Sequence, residues 1–154
     1  MAKKILIVED NLYTAEDMYI DISFALKKQN INHVELIIAN SIDEANDKLK
    51  EIEKDDLICI IADLNMNPDG LTDAQRKRTQ GAVLTGWVWV SSCVWQKADF
   101  QGKQIFFYSA FTNILNNNSE YKALEHKLKR NIKLVNKGEC DIDELCKEII
   151  VLCM

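Results

Sequence analysis

The chain has 154 residues, the size of one ordinary domain with room for one sizeable core. Hydrophobic residues make up 47% and charged residues 28%, with one Pro and five Gly, which excludes collagen-like, linker-like and disordered classes. Lys and Arg number 19 against 24 Asp and Glu, and a formal charge of −5 argues against a broad surface for nucleic-acid backbone.

The N-terminus starts basic, at Lys3 and Lys4, and continues with Ile5-Leu6-Ile7-Val8. Glu9 and Asp10 end that run too soon for the centre of a secretory signal, so residues 5–8 are expected to form a first strand. A helix face follows in Leu12, Ala15, Tyr19, Ile22 and Leu26, with Thr14 and Asp17 as a weak capping pair. A second apolar run covers 34–39, and a second helix face is Ile42, Ala45, Leu49 and Ile52. Ser41 with Glu44 has capping-box spacing at its start. The third run is 57–62. Residues 64–80 then make a long strand-to-helix loop, with a basic run at Arg76-Lys77-Arg78 that reads as a solvated surface. Trp87 and Trp95 share a helix face suited to the core, and Trp89 lies off it. Residues 105–108 and 132–135 are the fourth and fifth runs, and 111–119, with Asn116-Asn117-Asn118, reads as a loosened helix start between them. The last helix is expected on Ile142, Leu145, Ile149 and Leu152, capped by Asp141 with Glu144.

These runs are rich in Ile and Val with little alternation, as strands buried on both faces should be. Strict strand-helix alternation and right-handed crossovers imply an α/β fold with a doubly wound parallel sheet. No apolar run reaches the roughly 18–20 residues of a membrane span. Cys59, Cys93, Cys140, Cys146 and Cys153 form no Cys-x-x-Cys and read as reduced thiols, and the isolated His33 and His126 read as structural. A cytoplasmic protein is expected.

In a doubly wound sheet, ligands bind beyond the carboxyl ends of the strands. Glu9 and Asp10 follow the first strand, Asp63 the third, Ser109 the fourth and Lys137 the fifth. Three neighbouring carboxylates repel unless a cation intervenes, and an all-oxygen set suits a hard ion such as Mg²⁺. An ammonium and a hydroxyl beside them suit phosphoryl chemistry, in which a carboxylate can be the nucleophile.

The strings Lys4-Ile5-Leu6-Ile7-Val8-Glu9-Asp10-Asn11, Ala62-Asp63-Leu64-Asn65-Met66, Tyr108-Ser109-Ala110 and Val135-Asn136-Lys137 together resemble the receiver domain of two-component response regulators. The resemblance spans residues 1–154 as a single domain. It implies a flavodoxin-like, three-layer fold with a five-stranded sheet in the order 2-1-3-4-5. It implies that Asp63 accepts phosphate, that Glu9, Asp10, Asp63 and Asn65 hold Mg²⁺, and that Ser109 and Lys137 engage the phosphoryl group. It further implies a signalling module with self-catalysed phosphotransfer and dephosphorylation rather than a turnover enzyme. Its partners would be a sensor histidine kinase or histidine phosphotransfer protein and a downstream protein target, with no direct nucleic-acid or membrane contact and a homodimer left open. The alternatives are a phosphorylation-independent adaptor with the same fold and a receiver excised from a longer protein. The sequence departs from the family in three places. Gly138 follows the lysine where the family has Pro, Leu134 stands where it has an aromatic residue, and the Gly86-Trp87 opening of the third helix comes late.

Overall fold

The computed structural model describes residues 2–138 and 142–154. The five apolar runs form β1 (Lys3–Val8), β2 (Val34–Ala39), β3 (Leu57–Ala62), β4 (Gln104–Ser109) and β5 (Ile132–Asn136). They make one sheet in the order β2-β1-β3-β4-β5, with every neighbouring pair parallel. Alternate strand residues enter two cores because successive side chains point to opposite faces. Leu6, Val8, Ile60, Ala62, Ile105 and Phe107 face one core, and Ile5, Ile7, Cys59, Ile61 and Phe106 the other.

On the second face lie α1 (Leu12–Lys28) and α8 (Ile142–Cys153), and on the first lie α2 (Ile42–Glu51) and α4 (Thr85–Trp89). Asn11, rather than Thr14, caps α1: its side chain accepts a hydrogen bond from the Thr14 amide at 3.0 Å. The buried face of α1 is Ala15, Met18, Ile22 and Leu26. Leu12 and Tyr19, expected inside, are exposed. The face is turned so that flexible Met18 fills the space against the sheet and the Tyr19 ring stays at the surface. For α2, Ser41 accepts from the Glu44 amide at 3.1 Å, while Glu44 reaches back to the Asn40 amide at 3.2 Å. In α8, Leu145, Cys146 and Ile149 are buried, whereas Leu152 in the last turn is partly exposed. Asp141 and Cys140 lie outside the described residues.

The segment between β3 and α4 is more ordered than a loop over 64–80 suggests. It contains a helical turn, α3 (Asp73–Lys77), with a complete capping box between Thr72 and Gln75. Arg78 is not merely solvated. Its guanidinium donates to Glu120 at 2.8 Å, Ser92 at 2.6 Å and Ser91 at 3.1 Å, tying the segment to the body of the domain.

After α4 the helix widens into a π turn, Val90–Val94. All three tryptophans are core residues. Trp87 meets Trp95 and Tyr121 edge-on, and the Trp89 indole donates to Asn46 at 2.8 Å. The loosened fourth helix is three short pieces: α5 (Thr112–Asn116), α6 (Ser119–Lys122) and α7 (His126–Lys129). Asn118 breaks the run and restarts it, its side chain accepting from the Tyr121 amide at 3.0 Å. His33 and His126 are exposed. Cys59, Cys93 and Cys153 are free thiols, and burial pushes the Cys59 and Cys93 thiols up, away from reactive thiolate. No helix among the described residues is long and apolar enough to cross a membrane.

Candidate functional site

The parallel ladder delivers the acidic residues to one edge. The Glu9 amide donates to Ala39 at 3.0 Å, the Asp63 amide to Val8 at 3.2 Å and the Lys137 amide to Ser109 at 3.1 Å. Each of these residues is therefore fixed by its neighbouring strand at the carboxyl end of the sheet. Lys137 Nζ lies 3.2 Å from Asp63 Oδ2 and 3.5 Å from Glu9 Oε1. It also lies 5.2 Å from the Tyr108 ring centre, within cation–π range.

The structure thus brings Glu9, Asp63 and Lys137 into one charged cluster. Asp10, exposed at the same edge, is held elsewhere: its Oδ2 accepts from the Asn67 amide at 2.9 Å. The Asn65 amide donates to Asp63 Oδ1 at 3.3 Å, closing a tight turn after β3. Ser109 is fully buried, and its Oγ accepts from the Phe111 amide at 3.2 Å.

Glu9 is only 3% exposed, and its Oε2 has no hydrogen-bond partner. Burial first, and then the neighbouring Asp63 charge, raise its pKa from 4.5 to about 7 against the opposing pull of Lys137. A folded-state value above the unfolded one means that the folded protein holds a proton the unfolded chain releases. Stability from this group is therefore present below about pH 4.5 and lost as pH rises through about 7. Glu9→Gln is expected to flatten that fall, with up to about 3 kcal/mol at stake between the two limits. Thermal melts in chelator across this pH range check it. A wild-type slope unchanged in the variant would exclude Glu9 as the titrating group.

A hard cation fits this chemistry. The donors are all oxygen, and one buried carboxylate oxygen has no partner. As the side chains stand, no three His, Cys, Asp or Glu among the described residues are close enough to hold a metal ion. The Lys137 ammonium already bridges Glu9 and Asp63, and Asp10 would have to release Asn67.

Several supporting residues were not singled out from the sequence. Asn40 donates its side-chain amide to the Glu9 carbonyl at 3.0 Å. It follows β2 directly, so the strand-end rule, applied to that strand as well, identifies it. Asn67, which fixes Asp10 through its backbone, carries no such signal. Asn136 accepts from the Gly138 amide at 2.7 Å and donates to Thr112 at 2.9 Å, tying the turn after β5 to the start of α5. The described residues contain no cis peptide bond, so the Lys137–Gly138 bond is trans. Leu134 is half-buried and packs against the first core. Gly86 donates to the Leu64 carbonyl at 3.0 Å, and a Cβ there would collide with the Asp63 carbonyl oxygen. Gly86 thus lies in the first turn of α4, packed against the backbone that follows β3.

No protein-family model matches the chain, and no curated protein matches it in sequence. Solved structures do match. The chain is similar to the receiver domain of the Francisella response regulator 1452, with a TM-score of 0.55 and 18% identity over 98% of this chain and 96% of that one. It is similar to the N-terminal domain of a response regulator/sensory box/GGDEF three-domain protein from Carboxydothermus hydrogenoformans, with a TM-score of 0.51 and 19% identity over 98% and 94%. It is also similar to the Thermotoga maritima response regulator TrrA, solved in complex with Mg(2+)-BeF, with a TM-score of 0.50 and 15% identity over 97% and 98%. With its five parallel strands in the order β2-β1-β3-β4-β5 and helices on both faces, the chain has the flavodoxin-like fold of response regulator receiver domains.

Proposed function

We propose that this chain is a phosphorylation-switched signalling module in which Asp63 is the phosphoacceptor. The observation that carries the reading is the Lys137 ammonium, 3.2 Å from the Asp63 carboxylate at the carboxyl edge of the sheet, with buried Glu9 beside it. The donor is a phosphohistidine on a sensor histidine kinase or a histidine phosphotransfer protein. Asp63 Oδ attacks phosphorus, an O–P bond forms, and the P–N bond breaks as the imidazole leaves and takes up a proton. Lys137 offsets charge on the phosphoryl oxygens, and Ser109 donates to one of them after releasing the Phe111 amide. Glu9, Asp10, Asp63 and Asn65 would hold Mg²⁺, which would supply the remaining positive charge. Attack by water on phosphorus returns the carboxylate and inorganic phosphate, so the chain resets itself and is not a turnover enzyme. The added charge biases the loop that begins at Ser109, and a downstream protein reads the altered surface by contact.

Incubation with acetyl phosphate and Mg²⁺ tests this. Wild type is expected to gain one phosphoryl group by intact-mass measurement, whereas Asp63→Asn gains none. A folded wild type that takes no label from acetyl phosphate and binds no beryllofluoride in Mg²⁺ would instead be a phosphorylation-independent adaptor.

A further inference from the structure

The outer face of α1 carries an exposed apolar stripe. Tyr13 is 80% exposed, Ile20 62% and Phe24 64%, and their spacing places them on one side of the helix, opposite the buried Ala15, Met18, Ile22 and Leu26. A globular domain normally keeps such a face polar, and large exposed apolar side chains in a row mark an interaction surface. The charged residues beside the stripe identify its occupant. On one flank Glu16 lies towards the N-terminal end and Lys27 towards the C-terminal end. On the other flank Asp17 and Lys28 are arranged in the same sense. All four are exposed.

Turning a second copy of α1 antiparallel about an axis near Ile22 brings like flanks together. Ile20 then packs on Phe24 of the second copy and Phe24 on its Ile20, while Glu16 faces Lys27 and Asp17 faces Lys28, each pair occurring twice. A parallel arrangement would place like charges side by side. The face is therefore complementary to itself under a two-fold axis, the condition for an isologous contact. Lys28, which lies 5.7 Å from the centre of the Phe24 ring, already leans towards this seam.

We propose that this chain forms a homodimer through antiparallel packing of α1 against α1 of a second copy. The inference does not depend on phosphoryl transfer at Asp63. One helix pair buries less than the roughly 1,600 Å² of a standard interface, so a weak dimer is expected, with a dissociation constant in the micromolar range or above. The test is sedimentation equilibrium of the full chain from low micromolar to near-millimolar concentration. Wild type is expected to approach a dimer mass. Ile20→Glu with Phe24→Glu is expected to stay monomeric, and both sites are exposed, so unchanged circular dichroism and melting should show that the variant folds. Glu16→Lys with Asp17→Lys should raise the dissociation constant at least tenfold, and adding Lys27→Glu and Lys28→Glu should restore it. A wild type that stays monomeric throughout overturns the proposal and leaves the face to a different protein. So does a dimer that survives the Ile20/Phe24 change, or a charge reversal that the second reversal does not repair.

Discussion

Gly86→Ala is expected to destabilise the protein by about 3 kcal/mol or more, at or above the upper end of ordinary overpacking. The reason is geometric. A methyl group at this position overlaps the Asp63 carbonyl oxygen and lies 3.2 Å from the Leu64 Cα, so it meets backbone rather than a side chain that can swing away. Relief requires α4 to move off the end of β3, which breaks the hydrogen bond from the Gly86 amide to Leu64 and displaces the residue carrying the central carboxylate. Gly102→Ala is the matched control, because a methyl group there meets nothing within 4 Å. Urea titrations of the two variants give the comparison. Equal, small losses at both positions would show that α4 can shift without cost.

Lys137→Ala is expected to slow labelling of Asp63 by roughly 10²–10³-fold, the usual loss when one preorganised electrostatic donor is removed from a transition state. The same change leaves the Glu9 and Asp63 carboxylates facing each other without the ammonium that bridges them. Lys137 lowers the Glu9 pKa, so without it Glu9 keeps its proton to higher pH, and in chelator the variant should lose stability relative to wild type as pH rises above neutral and approach it at mildly acidic pH. Labelling at saturating acetyl phosphate separates the two effects. A wild-type rate in a folded variant would mean that the ammonium organises the resting site without acting on the transferred group.

The positions of Glu9, Asp63, Ser109 and Lys137 at one edge were legible because the strands are buried on both faces, and five dense Ile- and Val-rich runs stand out from any background. A residue that ends such a run must lie at the edge of the sheet. The capping pair Ser41 and Glu44 was legible because capping is local. The buried face of α1 was not. Leu12 and Tyr19 satisfy the apolar spacing as well as Met18 does, and only the direction in which the helix lies across the sheet selects between them. The role of Arg78 was hidden for the same reason: Glu120, 42 residues away, is brought to it by the path of the fourth helical segment.

The sequence by itself determined the five-stranded α/β architecture, the acidic and basic residues at the strand ends and the loosened stretch over 111–119, because burial pattern and capping are properties of short stretches. Only the tertiary structure decided that Lys137 bridges Glu9 to Asp63, that Asp10 is held by Asn67 and that α1 leaves an apolar stripe exposed. Each of these depends on how far elements distant in the chain approach one another and how they are rotated, and no local pattern encodes that.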